Sequence, residues 1–112
     1  MKDDCLYLHH ILECIQRIED YTQEGAESFL ADPKTQDAVL RNLQVLLESV
    51  QRLPAAWKSS YPREIPWHAI GGFRNRLARD YLGISLPRVW QVVASDLSSL
   101  KTVIQTMLDN SH

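Results

Sequence analysis

The chain has 112 residues, of which 45% are hydrophobic and 23% are charged, and its formal net charge is −2. These values are ordinary for a packed globular protein, so they exclude a disordered chain, a collagen-like repeat and an extended coiled coil. The length suits one hydrophobic core, and we expect a single domain over residues 1–112.

The sequence also bears on cellular location and cofactors. No apolar run approaches the roughly 20 residues that a membrane helix needs, and the acidic start at Asp3 and Asp4 is unlike a signal peptide. We therefore expect a cytoplasmic protein with no membrane partner. Cys5 and Cys14 lie about 13.5 Å apart along one predicted helix, too far for a disulfide, so they should stay reduced. No zinc-ligand spacing occurs, and we expect neither a metal nor another cofactor.

Two long helices are predicted in the first half of the chain. Apolar residues recur at steps of three and four from about Asp4 to about Gly25, which indicates an amphipathic helix. Asp32-Pro33 is a strong helix start, because Asp can cap free amides and Pro suits the first helical position. The apolar face that follows predicts a second helix over 33–52.

Prolines divide the middle of the chain. Pro54, Pro62 and Pro66 leave room for a short helix at Ala55–Ser59, followed by a connection over 61–65. These breaks separate the first two long helices from the rest.

A third helix is predicted from Pro66 through Tyr81, with Gly83 ending it. It contains Gly71-Gly72, and each glycine costs a helix about 1 kcal/mol relative to Ala. The pair therefore suggests close approach by another backbone.

Ser85 should cap a long last helix, in which apolar residues alternate steps of three and four from Leu86 to Met107. No segment alternates with period two, so no strand is expected. Short connections make an all-α, antiparallel bundle of four to five helices the simplest fold.

Arginine is concentrated in one part of the sequence. Residues 63–88 hold five arginines against two acidic residues, a local charge of +3, which leaves −5 for the remainder. Such a cluster either attracts phosphates or is a solvated helix face. Trp57, Trp67, Phe73 and Trp90 recur at helical spacing, which is more typical of core or interface residues than of a surface for stacking bases.

The segment over 65–83 resembles the motif region of HepT toxins in the HEPN superfamily. That family's pattern is Arg-Asn, then Arg or Lys, two mostly apolar residues, His, one variable residue and Tyr, followed by a turn and a helix with an early Trp. The matching residues here are Arg74, Asn75, Arg76, Leu77, Tyr81 and Trp90. The resemblance implies a HEPN-like helical bundle.

It also implies an activity. HepT toxins belong to toxin–antitoxin pairs and are metal-independent endoribonucleases, active as homodimers in which two motifs meet in a cleft. By resemblance, Arg74 and position 79 would be catalytic, Asn75 and Arg76 would bind substrate, and the RNA substrate would be tRNA. On a straight helix residues 74 and 79 are about 140° and 7.5 Å apart, so pairing two motifs across a dimer axis would complete the site. We therefore expect dimerisation through the motif-bearing helices.

The resemblance assigns a regulatory role to Tyr81. In such pairs a nucleotidyltransferase antitoxin, MntA, attaches AMP to this tyrosine and silences the toxin. A phenol two residues from the catalytic position would carry added phosphates into the cleft. Otherwise Tyr81 would simply pack its ring at a helix end.

Position 79 departs from the family pattern, because it is Arg79 where the family has histidine. An arginine stays protonated near neutral pH and cannot take a proton from the ribose 2′-OH, a loss of about 10²- to 10⁴-fold in rate. His68 is about 16.5 Å away along the helix and cannot replace the missing group. Arg79 marks either a natural degenerate copy or a substitution selected or introduced because the active toxin kills its host.

Two other functions remain open at this stage. Without a proton carrier, the chain could be a noncatalytic HEPN-like binding module that accompanies a nucleotidyltransferase. A purely structural helical dimer would explain the apolar faces but not the local charge of +3. A small nucleotidyltransferase gene next to this one would favour the toxin.

Overall fold

Helices account for nearly all of the structure. The computed structural model describes residues 2–61, 67–79 and 83–110, without the side chains of residues 2–4, 68 and 69. Within these ranges there are helices and no strands, which confirms the all-α prediction. The helices are α1 (Lys2–Tyr21), α2 (Ala26–Ala31), α3 (Pro33–Gln51), α4 (Ala55–Ser59), α5 (Trp67–Arg79), α6 (Leu86–Gln91) and α7 (Leu97–Asn110), with a π-helical turn, Val92–Asp96, between the last two.

Helix α3 is the central element of the bundle, and it packs against α1, α2 and α5. Its predicted apolar face is buried and consists of Val39, Leu43, Leu46, Leu47 and Val50, and Leu40 is buried beside it. The Asp32 side chain caps the helix by accepting from the Lys34 backbone N–H at 3.1 Å, as the Asp-Pro start predicted. The second helix was thus predicted to within one residue.

Side-chain contacts establish the antiparallel arrangement of the long helices. His10 on α1 lies 3.2 Å from Ser49 on α3, so the start of α1 lies beside the end of α3. On α1, Glu19 pairs with Lys101 of α7 at 3.0 Å. At the other edge, Gly71 faces the end of α3 and Arg74 faces an earlier turn, so α5 runs opposite to α3. These contacts confirm the antiparallel bundle.

Helix α1 ends at Tyr21, so the predicted end near Gly25 was wrong. After Tyr21, the Thr22 hydroxyl donates to the Ile18 carbonyl at 2.7 Å, and the Gly25 N–H donates to the Thr22 carbonyl at 3.1 Å. Gly25 has a φ of 93° and a ψ of −174°, a conformation that L side chains rarely adopt. A turn therefore replaces the last predicted helical residues.

Helix α2 was not predicted. At six residues it is too short to show a helical period, yet its Phe29 side chain is only 1% exposed. The Phe29 ring lies 5.5 Å from the Trp90 ring, with 35° between their planes. This contact fastens α2 onto α6.

The long last helix was predicted without its π-helical turn. The Leu97 N–H donates to the Val92 carbonyl five residues earlier, which inserts one extra residue into the turn. Val89 is the fully buried residue before the turn, whereas the predicted core positions Leu86, before the turn, and Val93, within it, are half-buried. Leu97 continues the predicted stripe after the turn. Periodicity alone cannot reveal a single inserted residue.

The predicted short helix at Ala55–Ser59 is confirmed. For the third helix, Trp67–Arg79 is helical as predicted, whereas its predicted limits at Pro66 and Tyr81 and the connection over 62–65 lie outside the described residues. Tyr61 precedes that gap.

The four aromatic residues at helical spacing, Trp57, Trp67, Phe73 and Trp90, are half-buried against the core, as predicted. Cys5 and Cys14 are not joined by a disulfide, also as predicted. Burial raises the pKa of the Cys14 thiol, so it should be unreactive near neutral pH.

No backbone of the described protomer approaches the glycine pair closely. A Cβ at Gly71 would stand 3.2 Å from the Gln51 Nε2 atom, a side-chain contact, and a Cβ at Gly72 would meet nothing within 4 Å. The predicted close backbone contact is therefore not made by the described part of the chain. Gly72 lies open on the surface.

The two open glycines predict mutations of opposite sign. Gly25→Ala should lower the free energy of unfolding by about 1–3 kcal/mol, because its backbone conformation suits only glycine although there is room for a Cβ. Gly72→Ala, with equal room but helical geometry, should raise it by about 1 kcal/mol. Urea unfolding followed by circular dichroism measures both, and a neutral Gly25→Ala would contradict the turn described above.

Candidate active site

Helix α5 carries the motif residues, and one of them anchors it. Leu77 is 1% exposed and packs into the core, which fixes the rotation of the helix about its axis. Arg74 is half-buried beside α3, whereas Asn75, Arg76 and Arg79 are exposed. The motif is therefore presented on a rigid element with most of its polar groups facing outward.

The Arg74 guanidinium is held from two sides. Its Nη1 donates to the Asn75 Oδ1 at 3.1 Å, and its Nη2 donates to the Glu48 Oε2 at 3.4 Å. The Nε–H is shielded from solvent and has no hydrogen-bond partner in the described part of the chain. A buried N–H without a partner is energetically costly. The Arg74 guanidinium is thus oriented by Asn75 and Glu48.

Arg76 lies on the other side of α5, away from Asn75. Together with Arg88 of α6 it lines a recess of about 440 Å³, with Phe73 and Ile84 forming apolar walls. The Arg88 Nη1 donates to the Gln91 Oε1 at 3.3 Å, a contact with a neutral amide, and no acidic partner for Arg88 occurs among the described residues. The two predicted substrate-binding residues therefore face two different depressions of one protomer.

Arg79 does not meet Arg74 within the protomer. It is exposed in the last turn of α5, about 140° around the helix from Arg74. A cation in the last turn of a helix interacts favourably with the helix dipole, by about 0.3–1 kcal/mol, which gives Arg79 a modest stabilising effect. Tyr81 and the His68 side chain lie outside the described residues.

A second depression lies on the Asn75 side of α5, against the end of α3 and α4. It has a volume of about 810 Å³, and its lining includes Gln51, Lys58, Trp67 and the glycine pair. We call it the α4–α5 groove. It opens beside the Asn75 side chain, which accepts from Arg74.

The sequence did not identify Glu48, Gln51 and Lys58 as candidate site residues. Glu48 and Gln51 lie three residues apart on one side of α3, and this spacing was the only signal. Polar residues at that spacing also occur on ordinary solvated faces, so the signal points to no function. Only the packing of α5 against α3 brings them to the motif.

Two general properties follow from the described helices. Over residues 2–61, 67–79 and 83–110, no helix is long and apolar enough to cross a membrane. In the same ranges, no three His, Cys, Asp or Glu side chains come together as they would around a metal ion.

Comparison with known proteins agrees with the motif. Residues 11–107 match the model of a family described as "Ribonuclease HepT-like". The chain is 40% identical over 96 residues to "Probable ribonuclease HepT" of Thermococcus cleftensis, covering 85% of this chain and 86% of that relative. No solved structure matches the chain.

Two relatives from Methanocaldococcus jannaschii are also similar. One, named "Gamma-glutamylcyclotransferase and putative RNase", is 37% identical over 109 residues; the match covers 96% of this chain but only 49% of the relative's length. The other, named "Putative RNase", is 34% identical over 109 residues, with 93% of this chain and 89% of the relative covered. Family match, motif and helical fold agree, and the chain belongs to the ribonuclease HepT-like family of the HEPN superfamily.

Proposed function

We propose that this protein is the toxin of a toxin–antitoxin pair, built as a metal-independent endoribonuclease that acts on RNA, with tRNA as the expected substrate, in the cytoplasm. The observation that carries the proposal is the half-buried Arg74, held by Asn75 at 3.1 Å in the register of the family motif. Family membership supports the ribonuclease chemistry. The exposed Arg76 and Arg88 add positive charge for the RNA backbone.

The reaction needs positive charge and a proton carrier. The ribose 2′-OH loses a proton as its oxygen attacks the adjacent phosphorus, and the 5′-oxygen leaves with a proton. Arg74 can stabilise the charge that builds on the phosphate oxygens, since its guanidinium is already oriented. Arg79 cannot carry the proton, so this copy should bind RNA and cleave it poorly.

A homodimer would bring position 79 of one subunit next to Arg74 of the other. Because Arg74 and Arg79 project about 140° apart from one helix, residue 79 of a partner subunit is the natural complement to Arg74 across a two-fold axis. The proposed dimer therefore forms around the C-terminal half of α5.

Regulation is proposed to act on Tyr81. An antitoxin of the MntA type, a nucleotidyltransferase, would attach AMP to its phenol and place negative charge beside position 79. The local charge of +3 over 63–88 would also favour an acidic partner surface.

Arg79 supports one alternative function. A chain that keeps phosphate-binding groups but lacks a proton carrier could be a noncatalytic companion of a nucleotidyltransferase. This alternative gives no reason for Arg74 and Asn75 to lie at toxin spacing, and we rank it second.

We expect Arg79→His to turn this protein into a ribonuclease that is toxic when expressed alone. The change supplies an imidazole that titrates near neutral pH, so a bell-shaped pH profile should appear with a limb near pH 6 to 7. Cleavage of labelled tRNA with EDTA present is the measurement. Adding Arg74→Ala should reduce cleavage about 10²- to 10³-fold again.

The unmodified chain is the matched control for that experiment. If Arg79→His is folded and dimeric but neither cleaves RNA nor harms its host, the ribonuclease proposal fails and the companion role replaces it.

The proposed dimer should appear in sedimentation velocity at micromolar protein concentration. A variant that disrupts the interface must alter a surface residue, and Leu77 is buried. Ala78 is exposed on the C-terminal half of α5, so Ala78→Glu should shift the protein to monomer. Ala56→Glu, exposed on α4, is the control and should stay dimeric. A monomeric parent protein would contradict the proposed architecture.

Glu48→Gln should tighten RNA binding by about two- to fivefold, because it removes a carboxylate that competes with phosphate for Arg74 in a part-exposed ion pair. Fluorescence anisotropy with a labelled RNA measures the change. Glu13→Gln on exposed α1 is the control and should have little effect. Weaker binding would instead mean that Glu48 holds Arg74 in its binding position.

A further inference from the structure

The α4–α5 groove is not part of the HepT motif, apart from Asn75 at its edge. Its volume of about 810 Å³ is within the range of roughly 300–1,000 Å³ that is usual for small-molecule sites. Trp67, Gly71 and Asn75 follow one another at four-residue steps, so they lie along one row of α5 that forms a wall of the groove. The next position in this row is 79, about 6 Å beyond Asn75. The groove therefore leads to the position at which the family has its catalytic histidine.

The groove presents groups that suit a nucleobase. The Asn75 Oδ1 already accepts from Arg74, so the Asn75 Nδ2 is left to donate to an acceptor in the groove. Gln51 supplies a second amide on the opposite wall. The Trp67 Nε1 donates to the Tyr61 carbonyl at 3.3 Å, which holds the indole in place and leaves its ring surface as an apolar wall. Two amides and an indole are the groups that bind unstacked bases in single-stranded RNA.

The groove also carries a positive charge and has free space beside Gly72. Lys58 contributes an ammonium group, and none of the described lining residues is acidic. Gly72 is exposed, and a Cβ there would meet nothing within 4 Å, so the glycine leaves space that a larger side chain would fill. Gly72 lowers helix stability, and no packing within the described chain requires a glycine there. A glycine is expected at such a position where a flat ligand lies against the helix.

We propose that the α4–α5 groove binds one unstacked nucleobase of a single-stranded RNA, with the indole of Trp67 against the base, the amides of Asn75 and Gln51 at its edge, and Lys58 on a flanking phosphate. This inference rests on the proposed ribonuclease function, since it takes RNA as the ligand. Adenine should be preferred, because the amide of Gln51 can pair with it through two hydrogen bonds. The base would hold the adjacent phosphodiester near position 79.

The inference can be tested on the full chain with Arg79 in place, because slow cleavage then leaves RNA intact. The probe is a fluorescein-labelled, adenine-containing single-stranded RNA decamer, and its anisotropy is followed at several salt concentrations. Gly72→Leu should weaken binding about tenfold or more by filling the space for the base, since one stacked base is worth about 1–3 kcal/mol. Circular dichroism and sedimentation check that the variant is folded and has the same oligomeric state as the parent.

Lys58→Gln is the second variant and does not depend on filling the groove. It should reduce the slope of log affinity against log salt by about 0.7, the value for one phosphate contact on a single strand. Lys34→Gln is the matched control, since Lys34 is exposed and lies about 26 Å along α3 from Gln51. It should leave the slope unchanged.

The outcomes separate this inference from the proposed function. Loss of affinity in Gly72→Leu and a reduced slope in Lys58→Gln support the groove. If the parent binds RNA and both variants bind it equally well, the groove inference is wrong and the ribonuclease proposal stands. If Gly72→Leu loses the dimer instead, a second copy covers Gly72 and the inference is wrong. If neither the parent nor Arg79→His binds or cleaves RNA, both proposals are wrong.

Discussion

The packing of α5 against α3 is the contact on which the candidate site depends. One face of helix α3 is buried from Val39 to Val50, and at its C-terminal end Glu48 and Gln51 face α5. The core therefore positions two polar groups that have no motif of their own. Because Leu77 is buried on the same helix, α5 cannot rotate away without exposing apolar surface.

In the proposed mechanism, this arrangement separates the binding of phosphate from the transfer of protons. Arg74 is half-buried and oriented by neighbouring side chains, so its positive charge would need no reorganisation to act. Residue 79 is exposed in the last turn of the helix, and under the proposal the proton transfer depends on which side chain stands there. A single substitution would then remove catalysis while the scaffold and its charge remain.

The surface around α5 combines cationic and apolar groups in two depressions. Arg76 and Arg88 line one, and Lys58 with Trp67 lines the other, with Gly72 between them. A single strand of nucleic acid offers both charged phosphates and flat apolar bases, so this combination suits RNA better than it suits a compact anion. The exposed glycine is consistent with a surface kept open for a ligand.

The sequence by itself determined the helical class, the positions of α3 and α4, the burial of the aromatic residues and the family, because these follow from local periodicity, capping residues and a motif within one helix. It could not indicate the end of α1 at Tyr21, the short α2 or the π-helical turn, because each depends on one or two local hydrogen bonds or on a single tertiary contact such as Phe29 with Trp90. Only the tertiary structure brought Glu48 to Arg74 and opened a groove beside Asn75, since residues 26 positions apart in the chain meet only when α3 and α5 pack together.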